Sequence, residues 1–155
     1  MDPRPALDRL AIAYEAVEHA PFRTAEEAQA VKKRLGGTGC KTLLLADRSG
    51  ATVIACVPED AKADLKAIAA AAGTGRLHFC GPKETATVAD AERGGLSPLD
   101  AAFPGAADTV VVLSGSLPAH GLLLACGSCG RTVRMDRDSL VTYLVDCGHE
   151  PVWTE

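Results

Sequence analysis

The sequence predicts a single α/β domain over residues 1–155, with a mixed, mostly antiparallel β-sheet and flanking helices. Short apolar runs with strand character alternate with helical segments that have recognisable start and stop residues. A chain of 155 residues, 47% of them hydrophobic, is also long enough to bury one substantial core. Because strands and helices alternate and hairpins are present, a mixed α/β sheet is the architecture that these patterns favour.

The predicted helices are recognised by their ends. Leu7 and Ile12 mark an opening helix, and Thr24 with Glu27 forms a capping box at the start of a second helix that ends at about Leu35. Gly36 follows this second helix as a stop signal. Further helices are predicted over residues 61–72, 83–92 and 137–145.

The predicted strands are short apolar runs between turn signals. Residues 42–46 and 52–57 flank the turn sequence Asp47-Arg48-Ser49-Gly50 and predict a hairpin. An extended stretch is predicted over residues 14–18, and further strands over residues 76–80, 109–113, 122–125 and 132–135. Residues 149–155 are predicted to be a tail without regular structure.

Charge and hydropathy exclude two classes of function. A net charge of −4 disfavours a dedicated duplex-DNA binder, which usually carries a strong positive balance. Lys32, Lys33 and Arg34 offer at most a local basic patch, and a solvated helix end is the simpler interpretation. No apolar run reaches the roughly 20 residues needed to cross a bilayer, and the N-terminus lacks a signal-peptide layout. We therefore expect a cytoplasmic protein that does not interact with membranes.

A glycine-rich segment, Gly36–Thr42, precedes the first strand of the predicted hairpin. It contains Lys41, a cation able to meet a phosphate or an oxyanion. It is not a phosphate-binding P-loop, which needs glycines at the positions of Cys40 and Leu35 and opens a helix after a strand. We predict that Lys41 ends this loop and is the functional centre.

Two further glycine loops are candidates for the same pocket. Gly94 and Gly95 precede Ser97, whose hydroxyl could face a ligand, and Gly127 lies in a loop between two predicted strands. A lysine with three glycine loops makes a pocket built largely from backbone groups. Such a pocket suits a small acyl group and a ribose-phosphate end.

Cys126, Cys129, Cys147 and His149 form the strongest competing signal. A Cys-x-x-Cys motif with a second Cys/His pair can hold tetrahedral zinc. However, a single residue separates Cys147 from His149, which is tighter than usual, and a strand plus a full helix is predicted between the two pairs. A zinc-binding protein is therefore the less favoured alternative, and we expect no metal.

Several short segments, taken together in order and spacing, resemble the YbaK/ProX family of aminoacyl-tRNA deacylases, a domain also found inserted in bacterial prolyl-tRNA synthetases. The resemblance extends over roughly residues 17–153. It rests on Val17-Glu18-His19, residues 22–28, Cys40-Lys41-Thr42-Leu43-Leu44, Asp64-Leu65-Lys66, residues 94–99 and Gly148-His149-Glu150-Pro151.

The resemblance implies a free-standing trans-editing hydrolase that cleaves the ester joining a wrong amino acid to the 3′ end of a tRNA. Lys41 would be the catalytic residue, because a cation aimed at the charge developing on the ester is catalytically significant. The attacking group would be water, and no cofactor is implied. The implied substrate-binding residues are Thr42, Gly94, Gly95, Ser97, Gly127 and Thr132.

The resemblance also bears on substrate and partners. It implies a small amino acid such as alanine or cysteine on the tRNA for proline, with an aminoacyl-tRNA synthetase as a second partner. The chain departs from the cysteinyl branch, which has Tyr where Val17 stands and Asp where Thr132 stands, and Cys126 and Gly127 lie in a loop that fits neither branch. The alternative is a non-catalytic relative that binds tRNA or a synthetase.

Overall fold

The computed structural model describes residues 1–92 and 94–155. Within them, strands form one sheet in the order β1-β7-β6-β2-β3-β5-β8, with β4 paired to β2. Four of the seven pairings described are antiparallel and three are parallel, which confirms the predicted mixed sheet. The strands are β1 (Glu15–Glu18), β2 (Thr38–Ala46), β3 (Thr52–Pro58), β4 (His78–Phe79), β5 (Val110–Ser114), β6 (Leu122–Ala125), β7 (Arg131–Met135) and β8 (Val152–Thr154).

Two of the described helices begin at capping side chains. The Thr24 side chain accepts a hydrogen bond from Glu27 N at 3.2 Å, which is one half of the predicted capping box, and Asp64 accepts from Ala67 N at 3.1 Å. The Glu27 carboxylate accepts from Arg23 N at 3.2 Å rather than from Thr24 N, so the other half of the box is shifted by one residue. None of the described helices combines the length and the apolar character that a bilayer crossing requires. The helices are α1 (Arg4–Arg9), α2 (Ala25–Leu35), α3 (Leu65–Ala72), α4 (Pro82–Ala89) and α5 (Arg137–Asp146), with 3₁₀ turns at Pro98–Ala102 and Pro104–Ala106.

Helices cover both faces of the sheet. On one face, Leu7 of α1 and Leu144 of α5 pack into the largest core cluster. On the other face, α3 packs through Ile68 against Leu45 of β2, and α2 packs through Val31 against β6. Side chains alternate between the faces along a strand, so the odd-numbered residues of β2 lie on the face covered by α2 and α3.

The predicted boundary of β2 at Thr42 is wrong, because the strand begins at Thr38. Thr38 and Gly39 pair in parallel with Leu122 and Leu123 of β6, a partner distant in sequence. The glycine turn is shorter than predicted and ends at Gly37, whose φ of 146° brings it against the backbone of Gly121. Lys41 therefore lies inside a strand rather than at the end of a loop.

Other predicted element boundaries are also wrong. Helix α3 begins at Leu65 rather than residue 61, because the chain reaches its capping residue only at Asp64. The strand predicted over residues 76–80 shortens to His78–Phe79, and α4 ends at Ala89 instead of residue 92. The predicted tail contains β8, which pairs in parallel with β5.

Candidate functional site

A cavity of about 310 Å³ opens on the α2 side of the sheet, where β2 and β6 diverge. Its walls come from β2, β6, β7, α2, the segment after β1 and the loop at Gly94. Of the predicted site residues, Lys41, Thr42, Gly94 and Thr132 line it. Four residues from three separated parts of the sequence thus meet in one place.

The divergence of β2 and β6 leaves strand backbone open at the cavity. Pairing of β2 with β6 covers Thr38 and Gly39, and pairing with β4 begins at Leu45. Thr38 N donates to Gly121 O on this edge and Leu44 O accepts from Cys80 N, so the N–H and C=O of Thr42 point toward the same edge. Among the described residues, no strand is paired with Thr42 there. The cavity therefore has a backbone donor and acceptor available to a ligand.

Lys41 contributes a cation to the same wall. It lies opposite Val57 of β3 in the hairpin register and lines the cavity, half-buried. Within the described part of the chain, no carboxylate lies within the 4.0 Å of an ion pair with its ammonium group. An ammonium group without a protein counter-ion can meet an anion or a developing negative charge.

A histidine and a phenylalanine form the outer part of the cavity. The rings of His19 and Phe22 stack with centroids 4.3 Å apart, and 41% of Phe22 is exposed. His19 Nδ1 donates to the carbonyl of Ala20 at 2.9 Å, because a carbonyl can only accept. In the neutral ring, Nε2 then accepts from the Thr132 hydroxyl at 2.8 Å. The hydroxyl of Thr132 is thus oriented by His19.

Charged side chains surround Lys41. Lys32 of α2 and Glu59, just after β3, form an ion pair at the cavity wall. Lys32 is therefore ion-paired, in contrast to the solvated helix end expected from the sequence. Lys33 is exposed. Arg131 also lines the cavity and holds Glu18 at 2.7 Å. Among the lining residues described, cations outnumber carboxylates.

Gly95 and Gly127 lie beside the cavity rather than in its wall. Both line a neighbouring depression together with Asp100. Gly95 packs on backbone, since a Cβ atom there would lie 3.1 Å from Cys129 N. Gly127 packs on the N-terminal residues, where a Cβ atom would lie 2.7 Å from the carbonyl oxygen of Met1. Their positions allow close packing of the loops that support Gly94.

Ser97 is fully buried and does not line the cavity. Its hydroxyl accepts from Leu99 N at 3.0 Å, and its own N–H donates to Asp100 Oδ2 at 2.9 Å. This reciprocal arrangement caps the 3₁₀ turn at Pro98–Ala102. Burial raises the pKa of the Asp100 carboxyl to about 7.

The residues of the zinc alternative do not assemble into a site. Across residues 1–92 and 94–155, no group of three or more histidine, cysteine or acidic side chains is arranged to hold a metal ion. Cys126 is buried, and desolvation raises the pKa of its thiol to about 12. Cys129 lies 2.9 Å from Glu92 Oε1, to which its thiol donates.

The sequence profile of the aminoacyl-tRNA editing domain matches residues 19–143, most of the chain. The chain belongs to the aminoacyl-tRNA editing domain family. This membership confirms the resemblance to YbaK/ProX proteins. A comparison with curated proteins returned no match.

Solved structures share the fold of this editing domain. One described as a "putative trans-editing enzyme for prolyl tRNA synthetase" is 23% identical with a TM-score of 0.71, and the match covers 96% of this chain and 92% of the other. The hypothetical protein APE2540 is 18% identical with a TM-score of 0.75, with 90% and 91% covered. A scaffold protein used for epitope grafting is 24% identical with a TM-score of 0.72, with 99% and 94% covered.

Sequence reasoning assigned no role to several residues of the cavity. His19 and Phe22 were part of the family resemblance, but neither carried a motif spacing. Lys32 and Glu59 lie 27 positions apart and meet only because α2 packs beside the end of β3. No local sequence signal could have found this pair.

Proposed function

We propose that this editing domain is a trans-editing deacylase, which hydrolyses the ester between a mischarged amino acid and the 3′ end of a tRNA. The proposed substrate is a small amino acid such as alanine or cysteine on the tRNA for proline. The observation that carries the proposal is one cavity holding both Lys41, which has no carboxylate partner among the described residues, and the open backbone of Thr42.

The chemistry is the addition of water to the ester carbonyl. Negative charge develops on the carbonyl oxygen as water adds, and the Lys41 ammonium with the Thr42 N–H would stabilise it. The carbon–oxygen bond to the ribose then breaks and the ribose oxygen takes a proton. The products are the free amino acid and the uncharged tRNA.

Phe22 is the proposed platform for the terminal adenine. Its ring is already stacked on His19, and 41% of the residue remains exposed at the mouth of the cavity. Base–aromatic stacking contributes about 1–3 kcal/mol per base and needs no sequence-specific contact. The terminal nucleotide would therefore lie at the mouth with its ester directed toward Lys41.

Deacylation of a panel of mischarged tRNAs tests the proposal, with Lys41→Ala as the decisive variant. We expect the parent to release at least one small amino acid. Lys41→Ala should lower kcat/KM by a factor of about 100 or more, since losing one oxyanion donor costs on the order of 3 kcal/mol. The melting temperature should hardly change, because Lys41 pairs with no carboxylate in the described residues.

Two controls sharpen this test. Lys66→Ala removes an exposed lysine of α3 and should leave turnover unchanged. Lys41→Arg keeps the charge but replaces a compact ammonium with a larger planar group, so most activity should still be lost. If the parent hydrolyses none of the panel but binds tRNA, the binding-only alternative would be correct. Full turnover by Lys41→Ala would remove Lys41 from the mechanism.

A further inference from the structure

Glu59 is the only carboxylate among the described residues that line the Lys41 cavity. It follows β3 directly, and its N–H donates to Gly39 O at 3.0 Å, which extends the hairpin ladder by one pair. The aminoacyl ester proposed as substrate carries a cation of its own, the α-ammonium group. A carboxylate in this wall is therefore chemically matched to the substrate.

Two neighbours fix the position of the Glu59 carboxylate. Lys32 donates to both of its oxygens. Gly39 leaves room beneath it, because a Cβ atom at Gly39 would overlap the carboxylate. A carboxylate has about four acceptor directions, so two hydrogen bonds from Lys32 leave others for a ligand.

The hairpin register places Glu59 and Lys41 on the same face of the sheet. Cys40 pairs with Pro58 and Lys41 with Val57, so Glu59 lies opposite Gly39 and diagonal to Lys41. Diagonal neighbours in an antiparallel pair are about 7–8 Å apart, within reach of long side chains. The two charges form no ion pair with each other. The cavity wall thus presents the Glu59 carboxylate and the Lys41 ammonium group side by side.

We propose that Glu59 binds the α-ammonium group of the aminoacyl ester while Lys41 faces its carbonyl oxygen. This inference rests on the proposed function and narrows its substrate class to esters with a free α-amino group. The ammonium and the carbonyl of such an ester are separated by a single carbon atom, which suits two charged side chains that extend toward each other from diagonal positions of the hairpin. Esters whose amino group is acylated, such as peptidyl-tRNA, carry no ammonium group for the free acceptor positions of Glu59 and would bind less tightly.

Binding of two non-hydrolysable analogues tests the inference without relying on turnover. The probes are 3′-alanylamido-3′-deoxyadenosine and its lactyl counterpart, in which a hydroxyl replaces the ammonium group at nearly the same size. By calorimetry, the parent should bind the alanyl analogue about tenfold or more tightly, as expected for a charge-assisted hydrogen bond. Glu59→Gln should bind the two analogues equally.

Matched variants separate ammonium binding from a structural role. Glu26→Gln changes an exposed glutamate of α2 and should keep the parent's preference. Gly39→Ala displaces the carboxylate without removing its charge and should lose the preference. A melting temperature lowered in Glu59→Gln with the preference retained would show that the Lys32–Glu59 pair is only structural.

The outcomes distinguish this inference from the proposed function. If the parent deacylates tRNA but binds both analogues equally, or binds neither, the role of Glu59 is wrong and the deacylase proposal stands. If the parent deacylates nothing on the panel, the deacylase proposal is wrong. In that case, if the parent still prefers the alanyl analogue and Glu59→Gln abolishes the preference, the result would support an ammonium-binding site at Glu59.

Discussion

The two sides of the cavity use their polar groups differently. The strand side is formed by Gly39–Thr42, Glu59, Thr132 of β7 and the adjoining helix α2, and there charges and open backbone face the cavity. On the loop side, which is formed by residues 94–100, the hydroxyl of Ser97 and the carboxyl of Asp100 are buried and bonded to the loop itself. Thr42 and Ser97, which the sequence analysis gave alike as substrate-binding residues, thus differ in whether a ligand can reach them.

The carboxyl groups of Glu59, on the strand side, and Asp100, on the loop side, also lie in different environments. Glu59 is balanced by the Lys32 cation at the cavity wall. Asp100 is buried with a backbone N–H as its partner, and desolvation raises its pKa to about 7. We infer that the strand side carries the chemistry and that the loop side holds Gly94 in place.

The largest expected effect is the pH dependence that Asp100 gives to stability. Its folded pKa of about 7 lies above the unfolded value of about 3.9, so between these values the folded state binds the proton. Stability contributed by the protonated group is present below pH 4 and is lost as the pH rises to about 7. Three pKa units correspond to a difference on the order of 4 kcal/mol.

Asp100→Asn removes this titration and keeps an acceptor for Ser97 N. The free energy of unfolding of the variant, measured by denaturant titration at several pH values, should therefore fall less between pH 4 and pH 8 than that of the parent. Parallel curves for parent and variant would show that Asp100 does not titrate in this range.

Ser97→Ala should lower stability and leave ligand binding unchanged. The hydroxyl caps the 3₁₀ turn by accepting from Leu99 N, and loss of such a cap costs about 1 kcal/mol. Chemical denaturation measures the first effect and calorimetry with the alanyl analogue the second. Weaker binding at unchanged stability would instead return Ser97 to the substrate-binding residues predicted by the sequence.

Thr132→Val also removes a hydroxyl, but on the strand side, and it should lower activity while leaving stability nearly unchanged. The hydroxyl donates to His19 at the cavity, and valine has nearly the shape of threonine. A hydrogen bond of about 1 kcal/mol corresponds to roughly a fivefold loss of kcat/KM for deacylation. Stability should change little because Thr132 is only half-buried. An unchanged rate would remove the His19–Thr132 pair from the site.

The fold was predictable where local signals decide. The turn at Asp47–Gly50 predicts the β2–β3 hairpin, and Thr24 with Glu27 predicts the start of α2. The start of β2 was not predictable, because Thr38 and Gly39 become strand only by pairing with β6. Strand β8 was missed for the same reason, since it is short and its partner is β5.

The site was predictable only in part. A lysine beside glycines drew attention to Lys41, and Thr42 follows it in the same strand. The remaining cavity groups depend on long-range packing, as Glu59 meets Lys32 and Thr132 meets His19 across 113 positions. Residue type alone also could not show that the Ser97 hydroxyl caps the 3₁₀ turn and does not face the cavity.

The smallest expected effect concerns tRNA binding by the exposed lysines on the two sides. Lys33, on the last turn of α2, is exposed on the strand side next to the engaged Lys32, whereas Lys83 is exposed on α4 at the loop side. If the tRNA approaches over the strand side, Lys33→Ala should reduce the salt dependence of tRNA binding by about one phosphate contact or less, and Lys83→Ala should not. Filter binding of uncharged tRNA across a salt series gives both slopes, and Lys33→Ala should leave affinity for the small alanyl analogue unchanged because that probe lacks the phosphate backbone. Equal slopes of log affinity against log salt concentration for the two variants would mean that the tRNA backbone contacts neither side preferentially. Only the terminal nucleotide would then bind on the strand side.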